Sequence, residues 1–142
     1  MDNKFVIEDN FSAKDYNKLI SSVGWVRKND IFVEKAIKRS TFLKCIRCNN
    51  HIVAMGRAIG DGMAYIIADV VVDSKYQRKG LGKLIMQELI KEITDELPSG
   101  EECSVSLIST LGKEIFYKKC GFMETPFDYN GSGMKLKIIK YG

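Results

Sequence analysis

The sequence predicts an α/β fold built on one mixed, mostly antiparallel sheet. Three observations carry that reading. The runs Thr41–Cys48, His51–Ile59 and Ala64–Val72 look like strands and follow one another across short turns, which implies an antiparallel meander. The last of them, "AYIIADVVV", leads into a helical pattern and then into another alternating run. Strand, helix and strand at that length make a βαβ unit with parallel strands. Ahead of the meander, apolar residues recur at helical spacing, which adds helices before the sheet.

In chain order, Lys4–Asp9 alternates and reads as a first strand. Ser12 followed by Asp15 resembles a capping box with Asp in the Glu position. It opens a helix over about Ala13–Val23, with Tyr16, Leu19, Ile20 and Val23 on one face. "GWVRKND" breaks that helix, and Ile31, Val33, Ala36 and Ile37 mark a second, ending near Arg39. "CNNH" suits a hairpin turn because Asn tolerates the left-handed region. Gly60–Gly62 makes the next turn. Ala64–Val72 is apolar at nearly every position, so both its faces should be covered. Leu81, Leu84, Ile85, Leu89 and Ile93 then keep helical spacing as far as "DELPSG". Cys103–Ser109 alternates as a strand, Gly112–Lys119 forms a short helix, and Met134–Lys140 alternates as a closing strand.

The chain of 142 residues has the size of one domain, 1–142. Its 45% hydrophobic and 28% charged content is that of a globular protein rather than a disordered one. No apolar run reaches the ~20 residues a membrane span needs. The first residues lack a basic stretch followed by an apolar one, so no secretory signal is read there and a cytoplasmic location is expected. The net charge of +4 is spread along the chain, without the basic face and interleaved aromatics of a nucleic-acid interface. Cys45, Cys48 and His51 have metal-like spacing, but Cys103 and Cys120 supply no second pair, so no metal site is expected. "TFLKCIRC" reads as a strand carrying buried free thiols.

The chemistry points to "DSKYQRKGLGKL", Asp73–Leu84, where the apolar strand hands over to a helix. A glycine-rich turn at a helix start exposes backbone N–H groups with no helical partner. Those donors and the helix dipole favour an anion. Gly80 and Gly82 remove Cβ atoms that would hold a phosphate away, and Arg78, Lys79 and Lys83 add positive charge. The Walker A pattern is absent, and Ile85 stands where the dinucleotide fingerprint has its third glycine. On the residues alone, the loop either holds a phosphate-bearing cofactor or is a tight strand-to-helix turn with surface lysines.

"VVVDSKYQRKGLGKLIMQELI" resembles motif A of the GNAT superfamily of acyl-CoA-dependent N-acetyltransferases, with Gln77-x-x-Gly80-x-Gly82 as its signature. "IFYKKCGF", Ile115–Phe122, resembles the second family signature. The resemblance covers nearly the whole chain. It implies a sheet with splayed parallel strands and helices on both faces, and acetyl-CoA as co-substrate. Backbone amides from Gln77, Arg78, Lys79, Gly80, Leu81, Gly82 and Lys83 would hold the pyrophosphate. Val70, Val71 and Val72 would present main-chain groups to the pantetheine arm, like an added strand. A backbone N–H near Val70–Val72 would stabilise the oxyanion. Tyr117 matches the tyrosine that protonates the leaving thiolate. Asp69, the one carboxylate in the apolar strand, is the candidate general base, or else it hydrogen-bonds a neighbouring loop or caps a turn. Asp61, Glu124 and Asp128 are weaker alternatives. Family members often carry Asn seven residues before the tyrosine, whereas this chain has Thr110.

The expected acceptor is a small-molecule primary amine, attacking directly in a ternary complex. A protein lysine or N-terminus is the alternative, as is a non-catalytic acyl-CoA-binding module. Acceptor contacts are expected from Ser21–Asp30, which holds Trp25, and from Phe127, Asp128 and Tyr129. Aromatics beside acids suit a cationic amine. A homodimer is common in the family.

Overall fold

The computed structural model describes residues 4–142. They form two compact units, one running to Leu107 and the other Ile108–Gly142. The first holds the sheet. In chain order its elements are β1 (Phe5–Glu8), α1 (Ala13–Ser22), α2 (Asp30–Arg39), β2 (Phe42–Cys48), β3 (His51–Gly60), β4 (Ala64–Val72), α3 (Leu81–Glu96) and β5 (Ser104–Ser106). A short 3₁₀ turn, Ser74–Tyr76, precedes α3.

The sheet has five strands in the order β1-β2-β3-β4-β5. The first four pair antiparallel and β4 pairs parallel with β5. Asn49 and Asn50 both take positive φ in the β2–β3 turn, the left-handed geometry that a tight hairpin demands. Gly60 ends β3 where no other residue fits, because a Cβ there would lie 2.2 Å from the Ala64 carbonyl oxygen.

Helices cover both faces. Met55 on β3 joins Tyr16, Leu19 and Ile20 of α1 in one core cluster, together with Val33, Cys45 and Val71. The next residue, Gly56, points the other way, where a Cβ would meet Ile85 and Leu89 of α3 at 2.6 and 3.1 Å. The capping box at α1 forms in both directions: Ser12 Oγ accepts from the Asp15 amide at 3.0 Å, and the Asp15 carboxylate accepts from the Ser12 amide at 3.1 Å. Buried Asn17 fixes the segment between α1 and α2. Its Nδ2 donates to the Lys28 carbonyl (2.8 Å) and to Asp30 (2.9 Å), and its Oδ1 accepts from the Lys28 amide (2.9 Å). Lys44 is buried between Asp9 and Glu92, at 2.7 and 3.2 Å, and ties β2 to α3.

The structure departs from four expectations. The strand expected over Cys103–Ser109 is only Ser104–Ser106, because its partner β4 stays beside it for just three residues. The run Met134–Lys140 is no strand: it is exposed, and no described strand pairs with it. Alternation permits a strand, but only a neighbouring edge satisfies its N–H groups. Nor is β4 covered on both faces throughout, since Ile66 is 53% exposed between buried Tyr65 and Ile67. In the second unit the regular element is α4 (Glu114–Lys119), shorter than the expected Gly112–Lys119.

Candidate active site

β4 and β5 pair only at Ala64–Ser104, Tyr65–Val105 and Ile66–Ser106. β4 then continues to Val72 with no described strand on that side. The backbone groups on that edge of its second half are therefore open to a ligand that offers alternating donors and acceptors.

At the end of β4, Asp73 accepts from the Lys75 amide at 2.9 Å and opens the 3₁₀ turn. Gln77 Nε2 donates to the Val72 carbonyl at 3.1 Å, which ties the loop back to the strand. Arg78 and Gly80 both have positive φ, +63° and +79°. Gly80 is the N-cap of α3. No side chain caps it, and the first turn carries no acidic residue. Its Cβ position is open, so the left-handed φ rather than crowding calls for glycine there. The first helical bond runs from the Leu84 amide to the Gly80 carbonyl at 3.1 Å, and the amides before it have no helical acceptor. Leu81 is buried and anchors the helix start, while Gln77, Arg78, Lys79 and Lys83 are exposed around it. Free donors, a helix dipole and three cations are features that favour an anion at this position.

Midway along β4 the pairing with β3 slips between Met55 and Arg57, so that Asp69 and Val70 stand opposite the single residue Gly56. This is a β-bulge, a device that re-aims a strand beside a site. Asp69 takes φ +54° in it, a conformation costing a non-glycine residue about 1–2 kcal/mol and best tolerated by Asp and Asn. Its Oδ2 accepts from Arg57 Nε at 2.8 Å and from the Tyr16 hydroxyl at 3.1 Å. Burial, and then the Asp69 charge and hydrogen bond, push the Tyr16 hydroxyl well above its ordinary value. Arg57 Nη1 also reaches Ser40 Oγ at 3.3 Å, and Ser40 Oγ donates to the Ala36 carbonyl at 2.8 Å. Val70 and Val72 are half-buried and Val71 is buried in the core on the α1 side.

Tyr117 belongs to the second unit. It lies in α4, edge-on to Phe116 (5.0 Å between ring centres) and Phe122 (6.2 Å). Burial, and then the Cys120 thiol, raise its hydroxyl above the ordinary value of 10.0. Thr110 accepts from the Lys113 amide at 3.0 Å in the turn before α4.

Of the weaker carboxylates, Asp61 caps the β3–β4 turn by accepting from the Met63 and Ala64 amides, and Glu124 pairs with Lys118 at 3.2 Å. Asp128 is exposed with φ +53°. Cys45 and Cys48 are buried free thiols, and burial pushes Cys45 up to about 11. Among the described residues no three His, Cys, Asp or Glu gather as metal ligands.

Sequence reasoning missed Tyr16 and Arg57, the two donors to Asp69. A signal was present: Arg57 is the one arginine or lysine inside β3, as Asp69 is the one carboxylate inside β4. Opposite charges within neighbouring buried strands need one another.

The profile of the acetyltransferase (GNAT) domain matches residues 5–124. The chain is 32% identical over 127 residues to an uncharacterised N-acetyltransferase, ycf52, of Porphyra purpurea, covering 86% of this chain and 71% of that protein. It is 33% identical over 118 residues to GCN5-related N-acetyltransferase 1, chloroplastic, of Arabidopsis thaliana, covering 81% of this chain and 58% of that protein. Among solved structures, a Staphylococcus aureus protein designated a Probable Acetyltransferase superposes with a TM-score of 0.80 at 29% identity, over 94% of this chain and all of that one.

Proposed function

The chain belongs to the GNAT acetyltransferase family and is an N-acetyltransferase, and from that premise we propose that it moves the acetyl group of acetyl-CoA directly onto a small-molecule primary amine within a ternary complex. Acetyl-CoA is the co-substrate that the family implies. The carrying observation is the uncapped, glycine-led start of α3 at the end of a strand that has parted from its parallel neighbour.

In this reading the amides and cations from Gln77 to Lys83 hold the pyrophosphate, and the open edge of Val70–Val72 lies along the pantetheine arm. The neutral amine attacks the thioester carbon, and a backbone N–H of the bulged stretch takes the developing negative charge. The C–S bond then breaks, Tyr117 passes its proton to the departing sulfur, and the amine nitrogen gives up its extra proton to a base or to water. Holding amine and thioester together supplies much of the rate. Trp25 and Val26 between α1 and α2, and Ile31 and Phe32 in the first turn of α2, expose apolar surface, which supports an acceptor with an apolar or aromatic body. No described helix is long and apolar enough to cross a membrane. The Arabidopsis relative is a chloroplast protein, so a plastid compartment stands beside the cytoplasm as a proposed location.

The test is release of free thiol from acetyl-CoA with a panel of aryl, alkyl and polyamines and lysine peptides. Gly82→Glu adds an acid to a helix first turn, where it is tolerated, yet it repels the pyrophosphate. Thiol release should therefore vanish in Gly82→Glu while the fold remains. In Tyr117→Phe, kcat should fall about 10²-fold or more. Release only with peptides would transfer the acceptor to protein, and no release with any amine would overturn the proposal.

A further inference from the structure

We propose that Tyr16 and Arg57 are positioning residues that lock the Asp69 bulge, and that Asp69 serves this reaction as the anchor of the bulge rather than as its base. The inference rests on the acetyltransferase reading above.

Three observations carry it. Asp69 is held at φ +54° in the interior of a strand, and such a conformation persists only where the surroundings over-determine it. The surroundings here are specific. One oxygen of Asp69, Oδ2, takes both donors, Arg57 Nε at 2.8 Å from β3 and the Tyr16 hydroxyl at 3.1 Å from α1. Both side chains of the ion pair are about four-fifths buried, with 18% and 19% exposed, so the contact is sheltered from the solvent screening that weakens surface pairs. Finally, the bulge lies just beyond Ile66, the last residue of β4 paired with β5. Whatever fixes the backbone at Asp69 therefore fixes the direction of the amides of Val70–Val72.

A base that abstracts a proton must present an oxygen to it. Oδ2 of Asp69 is instead committed to β3 and α1, and those two bonds hold the carboxylate against them. Through Arg57 the same cluster reaches Ser40, the C-cap of α2, at 3.3 Å. The helices that border the segment expected to meet the acceptor are thus joined to the strand expected to meet the thioester. Displacing a reacting group by about 1 Å can cost on the order of 10²-fold in rate, so a relaxed bulge should slow acetyl transfer without loosening the pyrophosphate loop.

The test is a double-mutant cycle with Asp69→Asn and Arg57→Met, with Arg57→Lys and Tyr16→Phe alongside. Acetyl-CoA binding is read by calorimetry, and kcat by thiol release with the best amine of the panel. Asn keeps the left-handed tolerance and shape of Asp. Both single variants should lose about 10- to 100-fold in kcat while the dissociation constant for acetyl-CoA stays within about threefold. The double variant should be no slower than the worse single one. Arg57→Lys should recover part of the loss, and Tyr16→Phe should show a smaller loss of the same kind. A merely structural role would instead lower the fraction of protein that binds acetyl-CoA, which the calorimetric stoichiometry reports. If Arg57→Met fails to fold, Arg57→Lys and Tyr16→Phe carry the comparison. Abolished turnover in Asp69→Asn with Arg57 and Tyr16 variants near wild type would overturn the inference and make Asp69 the base. Wild-type protein that neither binds acetyl-CoA nor releases thiol would overturn the proposed function itself, and the inference with it.

Discussion

A general acid works only while it holds its proton. Burial and the Cys120 thiol raise Tyr117 above 10.0, so its hydroxyl stays protonated across neutral and mildly alkaline pH. As the proposed acid it should impose a loss of kcat only as the pH climbs above about 10. A pH–rate profile at saturating acetyl-CoA checks this: the alkaline loss should be absent from the residual activity of Tyr117→Phe, and an unchanged loss there would assign it to another group. At this scale the sequence was informative where chemistry needs one residue type in one place. Gly80 and the basic residues around it could be read as an anion seat because a bare helix start and positive charge favour the same ligand, with a tight turn carrying surface lysines as the other reading. Asp69 could be singled out as an isolated carboxylate, but not its partners. Arg57 and Tyr16 stand 12 and 53 residues away, and a contact made by tertiary folding leaves no local pattern.

At the scale of elements, α1 owes its start to two short-range bonds. Ser12→Ala removes one and should cost about 1 kcal/mol at neutral pH, read by urea unfolding. Burial pushes the Asp15 carboxyl up, but the hydrogen bond from Arg47 and the Ser12 amide outweigh it and hold it below 3.8. Its stabilising contribution is therefore complete above pH 3.8 and disappears as the pH falls through the depressed folded value. The stability gap between wild type and Asp15→Asn should close over that acid range, and a gap persisting below it would mean that the charge is not what matters. Elements fixed by local signals were legible nearly to the residue: Ala64–Val72 has the predicted bounds, and the capping box forms as read. Strands that depend on a neighbour were not. Cys103–Ser109 shrinks to the three residues that β4 accompanies, and Met134–Lys140 alternates without a partner edge.

Across the molecule, α3 links the sheet to the proposed anion seat. It approaches β3 closely enough that a Cβ on Gly56 would lie 2.6 Å from Ile85 Cγ2. Gly56→Ala should therefore push the helix outward, cost about 1–3 kcal/mol, and weaken acetyl-CoA binding by shifting the helix start. Denaturant midpoint and calorimetric affinity should fall together, and a fall in stability alone would show that the loop is held independently of the helix body. The mixed sheet was readable as a whole because turns and periodicity agree along the meander, while the bulge that shapes the site was not, since one extra residue leaves the apolar run unbroken.

The short parallel pair also orders events in time. β2, β3 and β4 are joined by two tight turns, and closing such short loops costs little entropy. β5 can join only after the chain has travelled through the 3₁₀ turn and all of α3, and long-range pairing is the slow part of folding. The hairpins should thus form early and the β4–β5 junction late. The place where strand and strand diverge is among the last features a newly made chain completes. A molecule halted just before that step would possess most of its sheet and none of its chemistry.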